Sequence, residues 1–372
     1  MKKLRAAVIG VGSFGRHHVR AISEMADVEL AGVFDLDPNK AAQHGSRRFG
    51  SLEEVCAAAD CGVVATPTIT HEGVASQLIE AGLDVLVEKP IADSSAAGER
   101  LARLARQHGR ILQVGHLERF NPAILAVEKV LTIPLFFEIH RLSVFTPRSL
   151  DIDVVLDLMI HDLDIVLSFT REMPVDIQAA GISVLSPLVD IANVRLSFAS
   201  GCVANLTASR VSTEKVRKLR LFQPGEYISV DYQRQDAIRL AVLRNEANAG
   251  SDQPSAFSPQ LNLRNEPNAK SFQRSAFSDQ PADGKTVCPT PDFAKRTQSG
   301  SGIEFESLPV AKAEPLKLEL EAFFGAVRAR SQPRVDAFQA TNALRVAEAI
   351  LAKIKEHGEL VAETIRRAGQ PS

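Results

Sequence analysis

The chain has few cysteines and almost no net charge. Its four cysteines are scattered, without the spacing of a metal site or of a disulfide framework, so we predict no metal ion and a reducing, cytoplasmic location. A net charge of −2 excludes a general attraction to nucleic acid or to an anionic membrane. The N-terminal apolar stretch is broken by Gly10, Gly12 and Gly15, and is too short for a signal peptide or a membrane span. We expect a soluble protein.

The 372 residues suffice for two domains, which the sequence patterns place at 1–120 and 121–372. In the first domain, apolar runs typical of buried strands alternate with helical patterns. Strands are predicted at 4–9, 28–34, 62–65, 83–87 and 111–114, with helices that include 72–81 and 94–108. Such alternation predicts an α/β domain with a parallel sheet built from βαβ units.

The second domain has strand-like segments that follow one another across turns. They are predicted at 135–145, 175–184, 191–198, 202–209 and 218–222, after a helix at about 151–169 and before helices at 315–330 and 336–357. This rhythm is typical of an α+β domain with an antiparallel sheet.

Residues 243–300 fit neither pattern. The segment 243–249 recurs with one change at 263–269, and Ser-Ala-Phe-Ser at 255–258 recurs at 275–278. Two copies are too few for a solenoid, and a composition rich in Asn, Ser, Gln and Pro buries too little apolar surface to offset the entropy of ordering. We predict a flexible, duplicated insertion in a surface loop, with partner binding left open as its role.

A glycine-rich turn follows the first predicted strand. The segment Gly10-Val11-Gly12-Ser13-Phe14-Gly15 matches the G-x-G-x-x-G pattern, with a helix after it. Gly10 permits the tight turn, Gly12 lets the backbone approach a pyrophosphate, and Gly15 allows close packing of helix on strand. The helix N-terminus then presents free N–H groups to the phosphates. The pattern predicts a dinucleotide site that includes Ser13 and Phe14.

Asp35 ends the next predicted strand, where a carboxylate accepts hydrogen bonds from the adenosine ribose hydroxyls. The same charge would repel a 2′-phosphate. Asp35 therefore favours NAD over NADP, although Arg47 and Arg48 leave NADP open.

Two more segments lie at the carboxyl edge of the predicted sheet, where open α/β sheets bind ligands. Thr66 and Pro67 are predicted to line the cofactor, and His71 either reaches its ribose or is satisfied locally. Glu88-Lys89-Pro90 ends the fourth strand. On composition alone it is a strand end with a surface lysine, but beside a nicotinamide Lys89 would hydrogen-bond the reacting hydroxyl and stabilise negative charge on its oxygen.

Asp157 and His161 lie four residues apart in a predicted helix, so they should share one face. The Asp157 carboxylate would then orient the imidazole. The other ring nitrogen of His161 would take a hydroxyl proton as hydride leaves the same carbon, which makes His161 the expected general base.

In their order along the chain, these motifs resemble those of the glucose–fructose oxidoreductase/inositol dehydrogenase/MocA (Gfo/Idh/MocA) family. They are the glycine turn, Asp35, residues 65–71, 88–90 and 157–161, together with a C-terminal segment at 318–350. The resemblance implies an N-terminal Rossmann domain, a C-terminal domain with a mostly antiparallel open sheet, and a homodimer or homotetramer. It also places Glu88 and Lys89 at the NAD, with a cis Lys89–Pro90 peptide bond.

Residues 115–123 and 157–167 narrow the resemblance to bacterial nucleotide-sugar 3-dehydrogenases of the UDP-N-acetylglucosamine type. Arg119 would then bind a substrate diphosphate and Asn121 a sugar or amide group, unless this segment is a domain hinge with a structural Arg–Glu pair. Asp164 also matches the pattern, with a purely structural role left open. Arg141 and Arg210 are further cationic candidates without an assigned place.

We therefore expect NAD-dependent oxidation of the C3 hydroxyl of a UDP-linked N-acetylhexosamine to a 3-keto nucleotide sugar. The product would suit a partner aminotransferase, as in routes to 3-amino sugars of lipid A or surface polysaccharides. The same residues would suit an NAD(P)-dependent dehydrogenase of a free sugar or cyclitol, or an NAD-assisted glycosidase. A non-catalytic NAD-binding regulator is the remaining alternative, against which Lys89, Asp157 and His161 argue.

Overall fold

The computed structural model describes residues 3–43, 46–145, 152–242 and 303–368. The chain divides into two compact units, one formed by 1–241 with 305–372 and the other by 242–304. Of the second unit, only Val242, Ile303 and Glu304 are described, so the predicted insertion at 243–300 lies outside the described residues.

The N-terminal part is a five-stranded parallel sheet with helices between its strands. The strands are β1 (Leu4–Ile9), β2 (Val28–Phe34), β3 (Cys61–Val64), β4 (Asp84–Glu88) and β5 (Leu112–Gly115), in the spatial order β2-β1-β3-β4-β5. The helices are α1 (Gly15–Ser23), α2 (Pro38–Ala42), α3 (Leu52–Ala58), α4 (His71–Glu80) and α5 (Ser95–Gln107), with a 3₁₀ turn at Thr68–Thr70. The predicted parallel βαβ sheet is confirmed.

The following part is built on an eight-stranded sheet. Its strands are β6 (Phe136–Val144), β7 (Asp176–Ile182), β8 (Ile191–Ser197), β9 (Val203–Ser212), β10 (Val216–Gln223), β11 (Glu226–Asp231), β12 (Asp236–Val242) and β13 (Ile303–Ser307). The spatial order is β13-β12-β11-β10-β6-β9-β8-β7. The pairs from β12 through β10 to β6 and from β9 to β7 are antiparallel, and β6 pairs with β9 in parallel. The mostly antiparallel sheet is thus confirmed, while β11, β12 and β13 were not predicted.

The remaining helices connect and cover the two sheets. They are a 3₁₀ turn at Leu117–Phe120, α6 (Pro122–Glu128), a π-helical segment at Val155–Met159, α7 (Ile160–Thr170), α8 (Pro315–Ala329) and α9 (Ala337–Ala368). The single helix predicted at about 151–169 is therefore a π-helical segment that continues into α7. Within the described part of the chain, no helix has the length and apolar character needed to cross a membrane.

Alternate side chains of β1 face opposite sides of the first sheet. Val8 packs in a core with Phe323 of α8, whereas Ile9 packs on the other face with Leu78 of α4. Burial on both faces accounts for the nearly continuous apolar run of this strand. The core also shows that α8, which follows the second sheet in sequence, packs on the first, and this places residues of α8 close to the carboxyl end of β4.

Candidate active site

The three glycines of the turn after β1 have different surroundings. Gly10 has a φ of +85°, and a Cβ there would lie 2.7 Å from the Ala65 carbonyl oxygen. A Cβ on Gly15 would lie only 1.8 Å from the carbonyl oxygen of Gly10, whereas a Cβ on Gly12 would meet nothing within 4 Å. Gly10 and Gly15 therefore serve packing, and Gly12 presents bare backbone to open space. This is the arrangement that fits the pyrophosphate of a dinucleotide.

Asp35 connects the end of β2 to this turn. Its carboxylate accepts hydrogen bonds from the N–H groups of Val11 and Asp37, both at 2.9 Å. Each carboxylate oxygen has a further lone pair, so the half-buried side chain can also accept from ribose hydroxyls. Beyond it, Arg47 stacks on the ring of Phe49 at 4.9 Å.

Thr66 lies against the glycine turn. Its methyl carbon is 2.9 Å from the position that a Cβ on Gly10 would occupy. Pro67 is exposed, as are Ser13 and Phe14 across the turn. His71 is buried, and its ring nitrogens lie 2.9 Å from the Pro90 carbonyl oxygen and 2.8 Å from that of Thr66. This geometry favours the local alternative for His71, because both of its ring nitrogens lie beside backbone carbonyl oxygens of the site.

A cavity of about 380 Å³ brings the predicted catalytic residues together. Lys89, Asp157 and His161 line it, together with Phe14 of the glycine turn and Glu88. Two cations, Arg141 and Arg217, also line this cavity.

Lys89 follows β4 directly and is joined to Pro90 by a cis peptide bond, as the family resemblance implies. Its Nζ donates to the backbone carbonyl oxygen of Asp157 at 2.7 Å and lies 3.5 Å from the Asp157 carboxylate. Burial lowers the pKa of Lys89, and the charges of Asp157 and Glu88 oppose that shift. The ammonium group is thus fixed at the wall of the cavity.

The expectation that Asp157 orients His161 is wrong in this structure. Asp157 lies in the π-helical segment, where hydrogen bonds from i to i+5 widen the turn, so residues four apart no longer lie one above the other. The Asp157 carboxylate faces Lys89, and among the described residues Nδ1 of His161 has no hydrogen-bond partner.

His161 is the second residue of α7 and lines the cavity. Burial lowers its pKa well below the usual value, and the positive charges of Lys89 and Arg141 lower it further. The imidazole is therefore neutral at neutral pH and able to accept a proton.

Arg119 and Asn121 do not line this cavity, contrary to the sequence prediction. Asn121 caps α6, since its Oδ1 accepts from the Ala123 N–H at 3.1 Å, and its amide donates to the Tyr232 carbonyl oxygen at 3.0 Å. Arg119 is buried, and its Nη1 lies 3.6 Å from Asp164. Arg119 therefore pairs with Asp164 rather than with a glutamate, which favours a structural role for this side chain, while the domain hinge stays a prediction.

Arg141 has no assigned place in the sequence prediction, and Arg217 is not among the predicted site residues. Arg141 is buried and bonds Asp162 through two nitrogens at 2.7 Å and Glu118 at 2.8 Å. Arg217, opposite Arg141 in the β6–β10 register, stays partly exposed, 3.6 Å from Glu118. The two arginines are neighbours because β6 pairs with β10, and the sequence alone does not reveal that pairing. Arg210, by contrast, bonds Asp190 at 2.7 Å and does not line the cavity.

Glu88 belongs to a second buried cluster beside Lys89. His18 Nε2 lies 2.7 Å from the Glu88 carboxylate, and a carboxylate oxygen of Glu319 from α8 lies within 4.8 Å of both groups. Burial and the charge of Glu88 raise the pKa of Glu319 well above its usual value, which favours its protonated, uncharged form. No motif signalled this cluster because its members come from distant parts of the chain.

Comparison with known proteins agrees with this geometry. Residues 4–116 match the model of an oxidoreductase family with an NAD-binding Rossmann fold, and residues 138–223 match the Gfo/Idh/MocA C-terminal domain. The UDP-N-acetylglucosamine 3-dehydrogenase of Acidithiobacillus ferrooxidans is 39% identical over 237 residues, which are 62% of this chain and 75% of that protein. An inositol 2-dehydrogenase of Rhizobium meliloti is 27% identical over 56% of this chain and 70% of its own length.

A solved structure of the Acidithiobacillus ferrooxidans enzyme has a TM-score of 0.77 to this chain at 29% identity, covering 96% of this chain and 99% of the other. The similarity therefore extends over both sheets of this chain. Matches to both family domains, together with a relative 39% identical over 75% of that relative's length, establish the family. The chain is an oxidoreductase that binds NAD, and it belongs to the Gfo/Idh/MocA family of dehydrogenases.

Proposed function

We propose that the chain oxidises the C3 hydroxyl of a UDP-linked N-acetylhexosamine to a 3-keto nucleotide sugar, with NAD as the oxidant. The observation that carries the substrate class is the 39% identity to a UDP-N-acetylglucosamine 3-dehydrogenase. The cavity supports it with Lys89 and the neutral base His161 at one site.

The residues around the glycine turn would hold NAD. The bare backbone at Gly12 would receive the pyrophosphate and the Asp35 carboxylate the adenosine ribose, with Thr66 and Pro67 beside them. When bound, NAD accepts the hydride from the carbon that carries the hydroxyl.

Two side chains of the cavity would act on the substrate hydroxyl, one as a base and one as a hydrogen-bond donor. His161 would accept the hydroxyl proton on its cavity-facing ring nitrogen. Lys89 would donate a hydrogen bond to the same oxygen and stabilise its developing negative charge. This electrostatic stabilisation is strong because the site is shielded from water. Asp157 holds the ammonium group of Lys89 through its backbone carbonyl and carboxylate.

Arg217 replaces Arg119 as the proposed contact for the substrate diphosphate. It lines the cavity, and its side chain keeps about a third of its surface exposed. Arg119 lines another cavity and faces Asp164. A guanidinium binds phosphate oxygens through charge-assisted hydrogen bonds, so Arg217→Ala should raise KM for the nucleotide sugar and leave KM for NAD unchanged.

The test is NADH formation, followed by absorbance, from NAD and UDP-N-acetylglucosamine, with free N-acetylglucosamine and myo-inositol as competing substrates. A parallel assay with a 2-oxo acid detects turnover that recycles NADH. We expect activity with the nucleotide sugar, loss in Lys89→Ala and His161→Ala, and full activity in Lys355→Ala and His108→Ala, which change exposed residues.

Turnover of myo-inositol or the free sugar alone would overturn the substrate class and move the enzyme towards its inositol dehydrogenase relatives. We also propose that the 3-keto product is the substrate of an aminotransferase, which would form 3-amino sugars for lipid A or a surface polysaccharide. We further propose a homodimer or homotetramer, from the family resemblance, and a cytoplasmic location, from the scattered cysteines.

A further inference from the structure

We propose that the proton taken up by His161 leaves through His116 and Asp164 towards a second cavity on the far side of these residues. The inference rests on the proposed role of His161 as general base. His116 and Asp164 act through His161 and are therefore positioning residues for the reaction.

The ring of His116 lies next to the ring of His161, outside the lining of the catalytic cavity. The two ring centroids are 6.3 Å apart and the ring planes meet at 84°, so the edge of one ring points at the other. His116 is 1% exposed and lines neither cavity. Because Nδ1 of His161 is buried, Nε2 is the nitrogen left to face the catalytic cavity.

The polar atoms along this route have no hydrogen-bond partner among the described residues. They are Nδ1 of His161, both ring nitrogens of His116 and Oδ2 of Asp164. Most buried polar groups are paired, so a row of unpaired ones in neighbouring side chains requires an explanation. Asp164 Oδ2 lies 4.0 Å from His116 Nδ1, a separation that one bridging water spans.

The far end of the route reaches solvent. Asp164, 2% exposed, lines a cavity of about 1060 Å³ together with Arg119 and the exposed Arg171. This cavity shares no lining residue with the catalytic cavity. A proton delivered to Asp164 can therefore leave while the catalytic cavity holds substrate and cofactor.

The charges set the direction of transfer. A protonated His161 would face the cations Lys89, Arg141 and Arg217, which disfavour its positive charge. On the other side, His116 faces Asp164 and Arg119, with the charges of Lys89 and Glu88 also acting on it. The nearest carboxylate to His116 is thus the acceptor at the end of the route.

The transfer conserves protons at each step. The hydroxyl proton binds Nε2 of His161, and a proton leaves its Nδ1 for His116 through a water in the gap between the two rings. His116 then passes one proton to the Asp164 carboxylate through the water that bridges them. Asp164 then releases it to solvent in the second cavity. Both imidazoles end neutral, with the ring proton on the other nitrogen, and exchange with solvent between turnovers restores the first tautomer.

The first test measures the coupling without substrate. The histidine pKa values are followed by NMR titration in the cofactor-free protein, for the wild type and for Asp164→Asn, a near-isosteric change. Burial lowers the pKa of His116 and the Asp164 charge opposes that shift, so the variant should titrate His116 at still lower pH. An unchanged His116 titration would overturn the link, whatever the substrate of the enzyme.

The second test measures turnover in His116→Ala and His116→Gln with the substrate that the wild type oxidises. We expect kcat to fall roughly tenfold or more in both variants, with both KM values within about twofold. Free imidazole in the buffer should restore part of the rate of His116→Ala, which leaves room for the ring, and none of the rate of His116→Gln. Unchanged kcat, or a loss in His116→Ala that imidazole does not restore, would contradict the relay. A wild type inactive on UDP-N-acetylglucosamine would count against the proposed substrate only.

Discussion

The ammonium group of Lys89 donates to the backbone carbonyl oxygen of Asp157 at 2.7 Å. This bond joins the carboxyl end of the first sheet to the π-helical segment that precedes α7. It gives Asp157 a different partner from the one that sequence spacing indicates. Asp157 positions Lys89, and Nδ1 of His161 has no hydrogen-bond partner among the described residues.

This assignment predicts how Asp157→Asn changes the pH profile of kcat/KM. The carboxylate raises the pKa of Lys89, so its removal should lower that pKa and move the alkaline limb to lower pH. The acid limb, which reports His161, should stay in place because Asp157 makes no hydrogen bond to it. Asp176→Asn, on an exposed aspartate, is the control. A shifted acid limb with a fixed alkaline limb would restore Asp157 as the partner of His161.

The acid limb itself should lie at unusually low pH. Protonated His161 cannot accept the hydroxyl proton, so activity falls as the pH drops through its pKa. Burial and nearby cations lower that pKa, and the midpoint should therefore lie below about 6.5, the usual histidine value. The limb should vanish in His161→Ala, with kcat reduced about 10²- to 10⁴-fold. A midpoint above the usual value would show that the imidazole is not the neutral base described.

Substitutions at two glycines of the turn should have different effects, one on NAD binding and the other on stability. Gly12→Ala places a methyl group in open space and should keep the unfolding temperature while weakening NAD binding, measured by calorimetry. Gly15→Ala forces a Cβ against the Gly10 carbonyl oxygen and should lower the free energy of unfolding by about 1–3 kcal/mol or more. Normal NAD affinity in Gly12→Ala would exclude a pyrophosphate at this position.

Asp35 should set the choice of cofactor. The wild type should prefer NAD to NADP in kcat/KM, and Asp35→Asn should reduce that preference because the charge that repels a 2′-phosphate is gone. Asp37→Asn keeps a side chain suited to capping α2 and serves as the control. If both variants change the ratio equally, the discrimination does not depend on Asp35.

The first sheet could be predicted closely because its strands are buried on both faces and bounded by glycine turns and helices. The predicted strands lie within one residue of those observed. The strand β11, by contrast, follows a tight turn at Gly225 and has mixed burial, so its short run carries little periodic signal.

The candidate site was predictable where one motif carries it, and not where distant segments meet. Lys89 and His161 could be selected from their motifs, whereas Arg217 depends on strand register and Glu319 on how α8 packs. The role of Asp157 was mispredicted because spacing of four residues assumes an α-helix, and the segment is π-helical.

The central claim is that hydride leaves C3 of a UDP-linked sugar. We would incubate the enzyme with NAD and UDP-N-acetylglucosamine deuterated at C3, and analyse the reduced cofactor by mass spectrometry. Deuterium in the reduced cofactor, absent with His161→Ala, is the result that the account predicts. Reduced cofactor without deuterium, or none while another sugar or cyclitol is oxidised, would contradict it.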